Sequence, residues 1–511
     1  MRKTSSAARV FLLLVLSVGA TFAQTAQQRN VDIFDKYAES ARTAWEVPGM
    51  SIGIVKDGNV LLSKGYGVRE LGKSDPVNAQ TLFGAMSTTK AMVAAAMGML
   101  VDEGKVSWDD KVIKHLPSFR VADPYVTNEM KVRDLFTHNT GIGNADFLWA
   151  WTPELSSDEI VARMRFAPQA YSFRGGYTYQ NIMYLVAGQV IEKASGMKWE
   201  RFMDERLFAP LGMKDTFPNY ALSKAHANRS VAHYEIDGKI VPIPEMNADP
   251  IAPAGAVWST SDDIAKWLKF MLGETSVNGK ELLKAATLAE ILRPQTVIPA
   301  GQFYPTTRIT KPHWTTYGLG WFQHDYRGEM VNFHTGSLAG RTAIIGLIPD
   351  KKLGIYIFGN VDHAEVRHAL MYKAFDLFAF DDSNGRDWSS EFKALYDGIA
   401  AEGKKQEAAV KAMRIQNTRP SLALEAYIGR YSDPLYGSME VSAADGKLRL
   451  TVNKGLSARL DHWQFDTFQA VWDKRWWGED LMSFQINPIT GKVASLTLAG
   501  AVLKREPEAK K

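Results

Sequence analysis

The spacing of apolar residues changes along the chain, and each spacing predicts one kind of element. Residues 31–43 place apolar side chains every three to four positions, which predicts an amphipathic helix. Residues 50–55 and 60–66 alternate between apolar and polar positions. The Lys56-Asp57-Gly58-Asn59 segment between them is typical of a hairpin turn. This part of the chain therefore predicts a helix followed by two paired strands.

The middle of the chain is mostly helical. Residues 86–103 are small and apolar, contain no proline and are followed by Gly104, which predicts a helix with a defined end. Residues 181–195 and 261–272 also have helical periodicity. Long loops rich in Trp, Tyr, Asn and Pro separate the helices over residues 105–250.

Strand patterns then return. Short runs rich in β-branched and aromatic residues predict four strands, at 318–324, 330–333, 341–348 and 353–360. Strands at both ends of a helical middle indicate one α+β domain, over residues 31–380, whose antiparallel sheet joins N- and C-terminal segments.

The C-terminal part has a different texture. Residues 381–420 are charged and favour helix, which predicts a helical linker. From there to residue 511 short alternating strands follow one another, including 438–441, 447–452, 468–472 and 494–498. We expect residues 421–511 to form a separate small all-β, barrel-like domain.

The first 23 residues have the layout of a secretory signal peptide. Arg2, Lys3 and Arg9 make the start basic, an apolar run over 10–20 follows, and Ala23 precedes the predicted cleavage point. The chain has no cysteine, so it needs no disulfides in an oxidising compartment. We therefore expect a periplasmic or secreted protein of the bacterial envelope.

Charge and composition exclude several classes of partner. Losing residues 1–23 lowers the formal net charge from +4 to +1, which offers no electrostatic basis for nucleic-acid binding. No later run of eighteen apolar residues predicts a membrane span. No carboxylate–histidine cluster predicts a metal site, and no cofactor is expected. Oligomeric state is left open.

The candidate chemistry begins at Ser87-Thr88-Thr89-Lys90. Residues three apart share one face of a helix, so Ser87 and Lys90 should stand side by side at its N-terminal end. A hydroxyl beside an amine is a nucleophile with a candidate base. Gly49-Met50-Ser51-Ile52-Gly53 matches G-x-S-x-G, but a strand hairpin surrounds it, so we interpret Ser51 as a strand residue.

Two distant segments supply the remaining groups that such a pair needs. Tyr179 and Asn181 precede and begin a predicted helix; the phenol suits proton transfer, and the amide suits holding Lys90 and a substrate carbonyl. His334-Thr335-Gly336-Ser337 lies by a strand hairpin, where Gly336 leaves room for substrate and the Ser337 N–H suits an oxyanion.

S-x-x-K, Y-x-N and H-T-G in this order resemble the serine penicillin-recognising hydrolases. The chain is most similar to the peptidase S12 group, which holds class C β-lactamases, D-Ala-D-Ala carboxypeptidases, D-aminopeptidases and β-lactamase-like esterases. Five further segments support the resemblance: 47–51 (VPGMS), 135–141 (LFTHNTG), 210–213 (PLGM), 254–260 (AGAVWST) and 317–321 (YGLGW).

The resemblance implies a β-lactamase/transpeptidase-like fold over roughly residues 30–375 and assigns roles within it. Ser87 would be the acylated nucleophile, Lys90 its base and Tyr179 the proton shuttle. The backbone N–H groups of Ser87 and Ser337 would form the oxyanion hole. Asn181 and the third motif, His334 to Ser337, would bind substrate. The C-terminal domain resembles the lipocalin-like modules of this family.

One departure bears on the substrate. Class C β-lactamases carry Lys at the first position of the third motif, where this chain has His334, as in the carboxypeptidase, aminopeptidase and esterase branches. A lost permanent charge weakens binding of a β-lactam carboxylate. Arg341 compensates if its side chain faces the cleft; the alternative is a solvent-facing strand arginine.

These observations predict an exported serine hydrolase that forms an acyl-enzyme on amide or ester bonds. A D-amino-acid peptidase or carboxypeptidase is the leading hypothesis for its small-molecule or peptide substrate. The alternatives are a carboxylesterase, a weak β-lactamase, and a penicillin-binding sensor or scaffold that does not hydrolyse.

Overall fold

A computed structural model describes residues 26–507 except Pro153 and Asp445. The predicted signal peptide, residues 1–23, lies outside the described residues. A helix, α1, covers 26–44, in agreement with the predicted amphipathic helix. Within the described ranges, no helix is long and apolar enough to cross a membrane.

The strands before residue 360 form one large sheet and three two-stranded pairs. In chain order they are β1 Gly49–Lys56, β2 Asn59–Gly67, β3 Phe83–Gly84, β4 Ala232–Ile236, β5 Lys239–Ile243, β6 Trp258–Ser259, β7 Ser276–Val277, β8 Lys280–Glu281, β9 Thr296–Val297, β10 Thr315–Tyr317, β11 Phe322–Tyr326, β12 Glu329–Leu338, β13 Arg341–Ile348 and β14 Leu353–Gly359. The eight-stranded sheet has the order β2-β1-β14-β13-β12-β11-β10-β9 and is antiparallel throughout. N- and C-terminal segments therefore share one sheet, as predicted.

Helices cover both faces of this sheet. After α1 they are α2 Thr89–Asp102, α3 Val112–His115, α4 Pro124–Glu129, α5 Phe147–Ala150, α6 Ser157–Arg163, α7 Asn181–Ser195, α8 Trp199–Phe202, α9 Tyr220–Ser223, α10 Ala252–Gly255, α11 Ser261–Met271, α12 Ala285–Ile291, α13 Thr307–Thr310, α14 Val366–Ala379 and α15 Trp388–Ala412. On β13, Ala343 and Ile345 join the core that contains α2, α7 and α11, whereas Ile344 joins the core that contains α1 and α14. A strand covered on both faces favours apolar residues on both, which explains the hydrophobic run from Ala343 to Ile348 in β13.

The predicted strand at 318–324 is wrong in its first half. Gly318 to Trp321 forms the turn between β10 and β11, and Gly320 has a left-handed backbone with φ of 85°. A Cβ at Gly320 would lie 2.9 Å from the Lys90 carbonyl oxygen. The turn therefore packs directly on α2, a long-range contact that the local apolar pattern does not reveal.

The third motif lies inside a strand. The predicted strand 330–333 extends through Leu338 as β12, so His334 to Ser337 occupy its C-terminal half and pair with residues 342–345 of β13. Ser51 lies in β1, where its hydroxyl hydrogen-bonds to Ser261 Oγ at 2.9 Å, as the strand interpretation predicts.

The chain then continues through α15 into a closed β-barrel, which confirms the predicted barrel-like fold. Its strands are β15 Gly429–Asp433, β16 Gly437–Ala444, β17 Lys447–Asn453, β18 Leu456–Gln464, β19 Thr467–Trp472, β20 Glu479–Ile486, β21 Val493–Leu498 and β22 Ala501–Arg505. The barrel closes because β15 pairs with β22. Alternate side chains point inward, and Phe468 and Trp472 of β19 help to fill the interior.

The barrel packs on the preceding α+β domain near α5. Leu435, in the turn between β15 and β16, is 3% exposed and belongs to the core of the larger domain. Trp151, just after α5, conversely belongs to the barrel core and accepts a hydrogen bond at its carbonyl from Asn453. Each domain therefore inserts an apolar side chain into the core of the other.

Candidate active site

The nucleophile candidate stands on a tight turn at the start of α2. Met86 to Thr88 form a 3-10 turn, and Met86 has a left-handed backbone with φ of 47°, which is rare for a residue with a side chain. Ser87 is half-buried, whereas its neighbours Met86 and Thr88 are buried. The turn thus leaves the Ser87 side chain partly exposed between two buried neighbours.

Lys90 lies beside Ser87 with every donor position used. Its Nζ is 3.1 Å from Ser87 Oγ, 2.7 Å from Asn181 Oδ1 and 2.7 Å from the Ala254 carbonyl oxygen. When the amine is neutral, the Asn181 and Ala254 oxygens accept its two hydrogens, and the lone pair is left for the Ser87 hydroxyl proton.

Burial favours the neutral form of the Lys90 amine near pH 7. Lys90 is fully buried, and desolvation lowers its pKa to about 7, against an opposing effect of the Asp146 charge. A base with a pKa near the working pH combines a large neutral fraction with useful basicity.

Tyr179 completes the immediate surroundings of the hydroxyl. Burial raises the pKa of Tyr179 well above its usual value, and the neighbouring Ser87 hydroxyl opposes this shift. The centre of the Tyr179 ring lies 4.8 Å from Lys90 Nζ and 4.2 Å from the centre of the His138 ring. Tyr179 is therefore a neutral phenol in contact with both Ser87 and Lys90.

Asn181 is the first residue of α7 and joins Lys90 to an acid that sequence reasoning missed. Its Oδ1 accepts from Lys90, and its Nδ2 donates to Asp146 Oδ2 at 2.9 Å. Asp146 lies 35 positions earlier and belongs to none of the three motifs. Only the folded chain shows the contact.

His334 is buried and neutral. It is 1% exposed, and burial together with the Lys90 charge lowers its pKa to about 3. Nδ1 lies 2.6 Å from the Thr335 carbonyl oxygen and therefore donates to it. Nε2 then accepts from the Tyr317 hydroxyl at 2.9 Å. The site holds no permanent positive charge at this position.

The rest of the third motif lies against the nucleophile turn. A Cβ at Gly336 would be 2.5 Å from the Ala85 carbonyl oxygen and 3.0 Å from the Ser87 nitrogen. The Thr335 hydroxyl and the Tyr304 phenol are hydrogen-bonded to each other. Ser337 is exposed. The structure thus brings Ser87, Lys90, Tyr179, Asn181 and the third motif together.

Arg341 does not join this group. It is 1% exposed, and its guanidinium lies 2.6 Å from the Glu245 carboxylate and 2.7 Å from both oxygens of Ser230. The guanidinium also lies 4.6 Å from the Trp258 ring centre. Both sequence interpretations of Arg341 were wrong: it neither compensates for His334 in the cleft nor faces solvent, because a buried carboxylate pairs with it.

Two further residues support the site. Arg367 Nη1 donates to the Gly336 carbonyl oxygen at 2.6 Å and to Ser337 Oγ at 2.9 Å, and Arg367 pairs with Glu365 at 2.9 Å. His138 accepts at Nδ1 from the Gln180 N–H at 3.0 Å. His138 lies in the LFTHNTG segment that supported the family resemblance, so the sequence pointed to it. Arg367 lies in no such segment.

No group of three or more His, Asp or Glu side chains is arranged to hold a metal ion among the residues described. The chemistry described above needs only a hydroxyl, an amine, a phenol and backbone N–H donors.

Solved structures share this architecture. The octameric penicillin-binding protein homologue from Pyrococcus abyssi superposes with a TM-score of 0.60 at 22% identity, over 92% of this chain and 98% of that one. The crystal structure of SurE superposes with a TM-score of 0.54 at 20% identity, over 95% of this chain and 100% of that one. At such identities the likeness concerns the fold.

Sequence relatives include named hydrolases. Unguisins hydrolase ungD of Aspergillus violaceofuscus is 28% identical over 450 residues, which are 82% of this chain and 78% of its own length. Protein flp of Staphylococcus aureus strain MW2 is 24% identical over 62% of this chain and 60% of its own length.

Family models account for both domains. Residues 413–511 match a domain of unknown function (DUF3471). Residues 34–377, which contain every group of the candidate site, match the model described as Beta-lactamase. With the sheet, the helices and the nucleophile turn described above, this match shows that the chain belongs to the β-lactamase family of serine hydrolases.

Proposed function

We propose that this protein hydrolyses amide or ester bonds through an acyl-enzyme on Ser87, with D-amino-acid peptides as the preferred substrates. One observation supports the chemistry above all. Lys90 is buried, and its Nζ lies 2.7 Å from both the Asn181 oxygen and the Ala254 carbonyl oxygen and 3.1 Å from Ser87 Oγ. In the neutral amine those two acceptors take both hydrogens and leave the lone pair for Ser87.

The acylation step follows from these contacts. Neutral Lys90 takes the Ser87 hydroxyl proton while Oγ bonds to the substrate carbonyl carbon, and the N–H groups of Ser87 and Ser337 bind the oxyanion. Tyr179 gives a proton to the leaving nitrogen or oxygen as its bond to carbon breaks, and regains one from Lys90. Water then attacks the ester, its proton passes to the same pair, and Oγ leaves as the hydroxyl.

A labelled penicillin and a p-nitrophenyl ester test this mechanism. We expect covalent label on the mature protein, its loss in Ser87→Ala, and a fall in ester turnover of about 10³-fold or more in Lys90→Ala. Ser51→Ala is the matched control, because Ser51 lies in a G-x-S-x-G segment and should leave labelling unchanged. Label retained in Ser87→Ala would exclude the proposed nucleophile.

The label also separates a hydrolase from a sensor. Turnover of any p-nitrophenyl ester supports hydrolysis. A stable label on Ser87 without turnover of an ester, a peptide or a β-lactam would instead indicate a penicillin-binding sensor or scaffold.

The preference for D-peptides rests on the relatives and on charge. One relative is named an unguisins hydrolase, and SurE has been solved with D-Leu. Burial keeps His334 neutral, and Glu245 pairs with Arg341, so neither residue offers a free cation to a substrate carboxylate. This second observation also favours short-chain esters, which we retain as the alternative substrates.

A substrate panel distinguishes these classes. Matched D-Ala-D-Ala peptides with a free or an amidated C-terminus should be cleaved at similar rates, since neither His334 nor Arg341 is free to bind the carboxylate. A strong preference for the free acid would indicate a carboxypeptidase with a cationic subsite elsewhere. Cephalosporin turnover faster than any peptide would overturn the D-peptide preference.

We further propose export of the protein to the bacterial envelope. The support is the basic, then apolar, then small-residue order of residues 1–23. N-terminal sequencing of protein recovered from the periplasm or the medium should begin at Gln24, and exclusive recovery from the cytoplasm with Met1 intact would contradict it.

A further inference from the structure

The Asn181 amide must face Lys90 with its oxygen, and one neighbour determines that orientation. An amide presents an acceptor at one end and a donor at the other. With Nδ2 toward Lys90, two donors would meet and the amine would lose an acceptor. The orientation in the structure, with Oδ1 2.7 Å from Nζ, therefore needs an acceptor as partner on the far side of Asn181.

Asp146 is that partner. Its Oδ2 accepts from Asn181 Nδ2 at 2.9 Å, and an ionised carboxylate cannot donate in return. The same oxygen accepts from Asn144 Nδ2 at 3.0 Å, while Oδ1 accepts from the Trp149 indole at 3.1 Å. Three donors thus hold the carboxylate.

The surrounding loop ties this carboxylate to the rest of the site. Asn144 Nδ2 also lies 3.2 Å from the Tyr179 carbonyl oxygen, and Asn144 Oδ1 accepts from the Asp146 N–H at 2.9 Å. On the other side, the Phe147 ring stacks on Trp151 at 4.1 Å, and Trp151 packs on Tyr436 of the barrel at 5.8 Å. The loop is therefore held between α7 and the barrel.

We propose that Asp146 is a positioning residue for acylation, which holds the Asn181 amide so that its oxygen binds Lys90 and the amine lone pair faces Ser87. The inference rests on the proposed function and adds to it a residue that belongs to none of the three motifs. Asp146 acts through Asn181 and is not placed to touch substrate or Ser87.

The charge of Asp146 provides a readout that a purely structural residue would lack. The groups that act on Lys90 are the Asp146 carboxylate, the neutral phenols of Tyr179 and Tyr184, and the neutral rings of His138 and His334. Of these groups within the described residues, only the carboxylate stabilises the ammonium form by charge, and it raises the pKa of Lys90 against burial. Removing it should lower the pH at which Lys90 loses its proton.

Two substitutions separate charge from orientation. Asp146→Asn removes the charge but keeps an oxygen that accepts from Asn181, so Lys90 should titrate roughly 0.5 to 1 pH unit lower with little loss of rate. Asp146→Ala removes both, so we expect the same titration shift and a plateau kcat/KM lower by about tenfold. Asp158→Asn, at an exposed acid in α6 that bonds to Gln189, is the matched control.

The titration is read from the ¹³Cε signal of Lys90 in lysine-labelled protein, assigned by its absence in Lys90→Ala, and kcat/KM from p-nitrophenyl acetate. Lys90 titrating in Asp146→Asn as it does in Asp158→Asn, or a full plateau rate in Asp146→Ala, would overturn the proposal. The NMR titration needs no substrate. A wild-type protein without ester turnover would therefore count against the proposed function, whereas the Lys90 titration would still test Asp146.

Discussion

At the scale of single residues, protonation decides what the buried side chains around Ser87 can do. Burial lowers the pKa of Lys90 to about 7 and that of His334 to about 3, and it raises the pKa of Tyr179. Each shift favours the neutral form, because a charge loses its hydration when it leaves water. The site therefore combines a neutral base, a neutral phenol and a neutral imidazole near pH 7.

The pH dependence of ester hydrolysis should report Lys90. Because the base must be neutral, kcat/KM should rise about tenfold per pH unit below 7 and level off above it. His334→Gln should leave this rise in place, because a group with a pKa of about 3 is already neutral there. A rise that moves by a full unit in His334→Gln would assign it to the imidazole instead.

The same shift affects stability in a defined direction. The pKa of Lys90 lies below the value of 10.5 that an unburied lysine has, so the unfolded chain binds more protons between about pH 7 and 10.5. The contribution of Lys90 to the free energy of unfolding therefore rises with pH across this window. Below this pH window the folded protein must bury a charged amine, so Lys90 lowers the free energy of unfolding there.

At the scale of elements, β12 must approach the turn before α2 very closely. Ala85, Met86 and Ser87 all lie within 3.0 Å of the position that a Cβ at Gly336 would occupy. Two of these contacts are to backbone atoms, which cannot turn aside as a flexible side chain can. The strand and the nucleophile turn therefore fit each other only with glycine at this position.

Gly336→Ala should separate β12 from Ser87 and lower kcat/KM by about 100-fold, since loss of one oxyanion donor alone costs that much. The steady-state rate on p-nitrophenyl acetate measures it. Gly403→Ala in α15 is the matched control, because a Cβ there meets nothing within 4 Å. The control should keep full activity and add about 0.5–1 kcal/mol to the free energy of unfolding. Full activity in Gly336→Ala would show that β12 tolerates displacement.

At the scale of the whole molecule, the barrel contributes to the core of the larger domain. Leu435 from the barrel is 3% exposed in that core, and Arg163 of α6 donates to its carbonyl oxygen at 3.4 Å. Trp151 lies in the barrel core in return. Asp146 directly precedes α5 and Trp151 directly follows it, so the domain interface lies one short helix away from the candidate site.

Leu435→Ala should therefore destabilise the junction by about 2–4 kcal/mol, the usual range for a buried leucine. The shift of the urea midpoint and the rate of limited proteolysis near residues 144–152 measure this effect. Leu481→Ala, at a barrel leucine that is 41% exposed, should cost less than about 1 kcal/mol. Equal losses in the two variants would show that Leu435 does not join the domains.

Local patterns predicted the elements well where one face is buried and less well where a tertiary contact dominates. The hairpin of β1 and β2, the helix α7 and the strand β13 follow from periodicity and turn residues. The turn over Gly318 to Trp321 was missed because Gly320 packs against the backbone of Lys90, which lies more than two hundred residues earlier. β12 was predicted too short because the polar motif at its end hides the strand pattern.

By itself, the sequence determined the α+β architecture, the barrel that follows it, and three short motifs that point to a nucleophile and its base. These features depend on local periodicity and on residues three apart along a helix. Only the tertiary structure decided that Asp146 orients Asn181, that Glu245 takes Arg341 away from the cleft, and that His334 is neutral. Those properties depend on burial and on partners far apart in the chain, and neither is written in the spacing of residues.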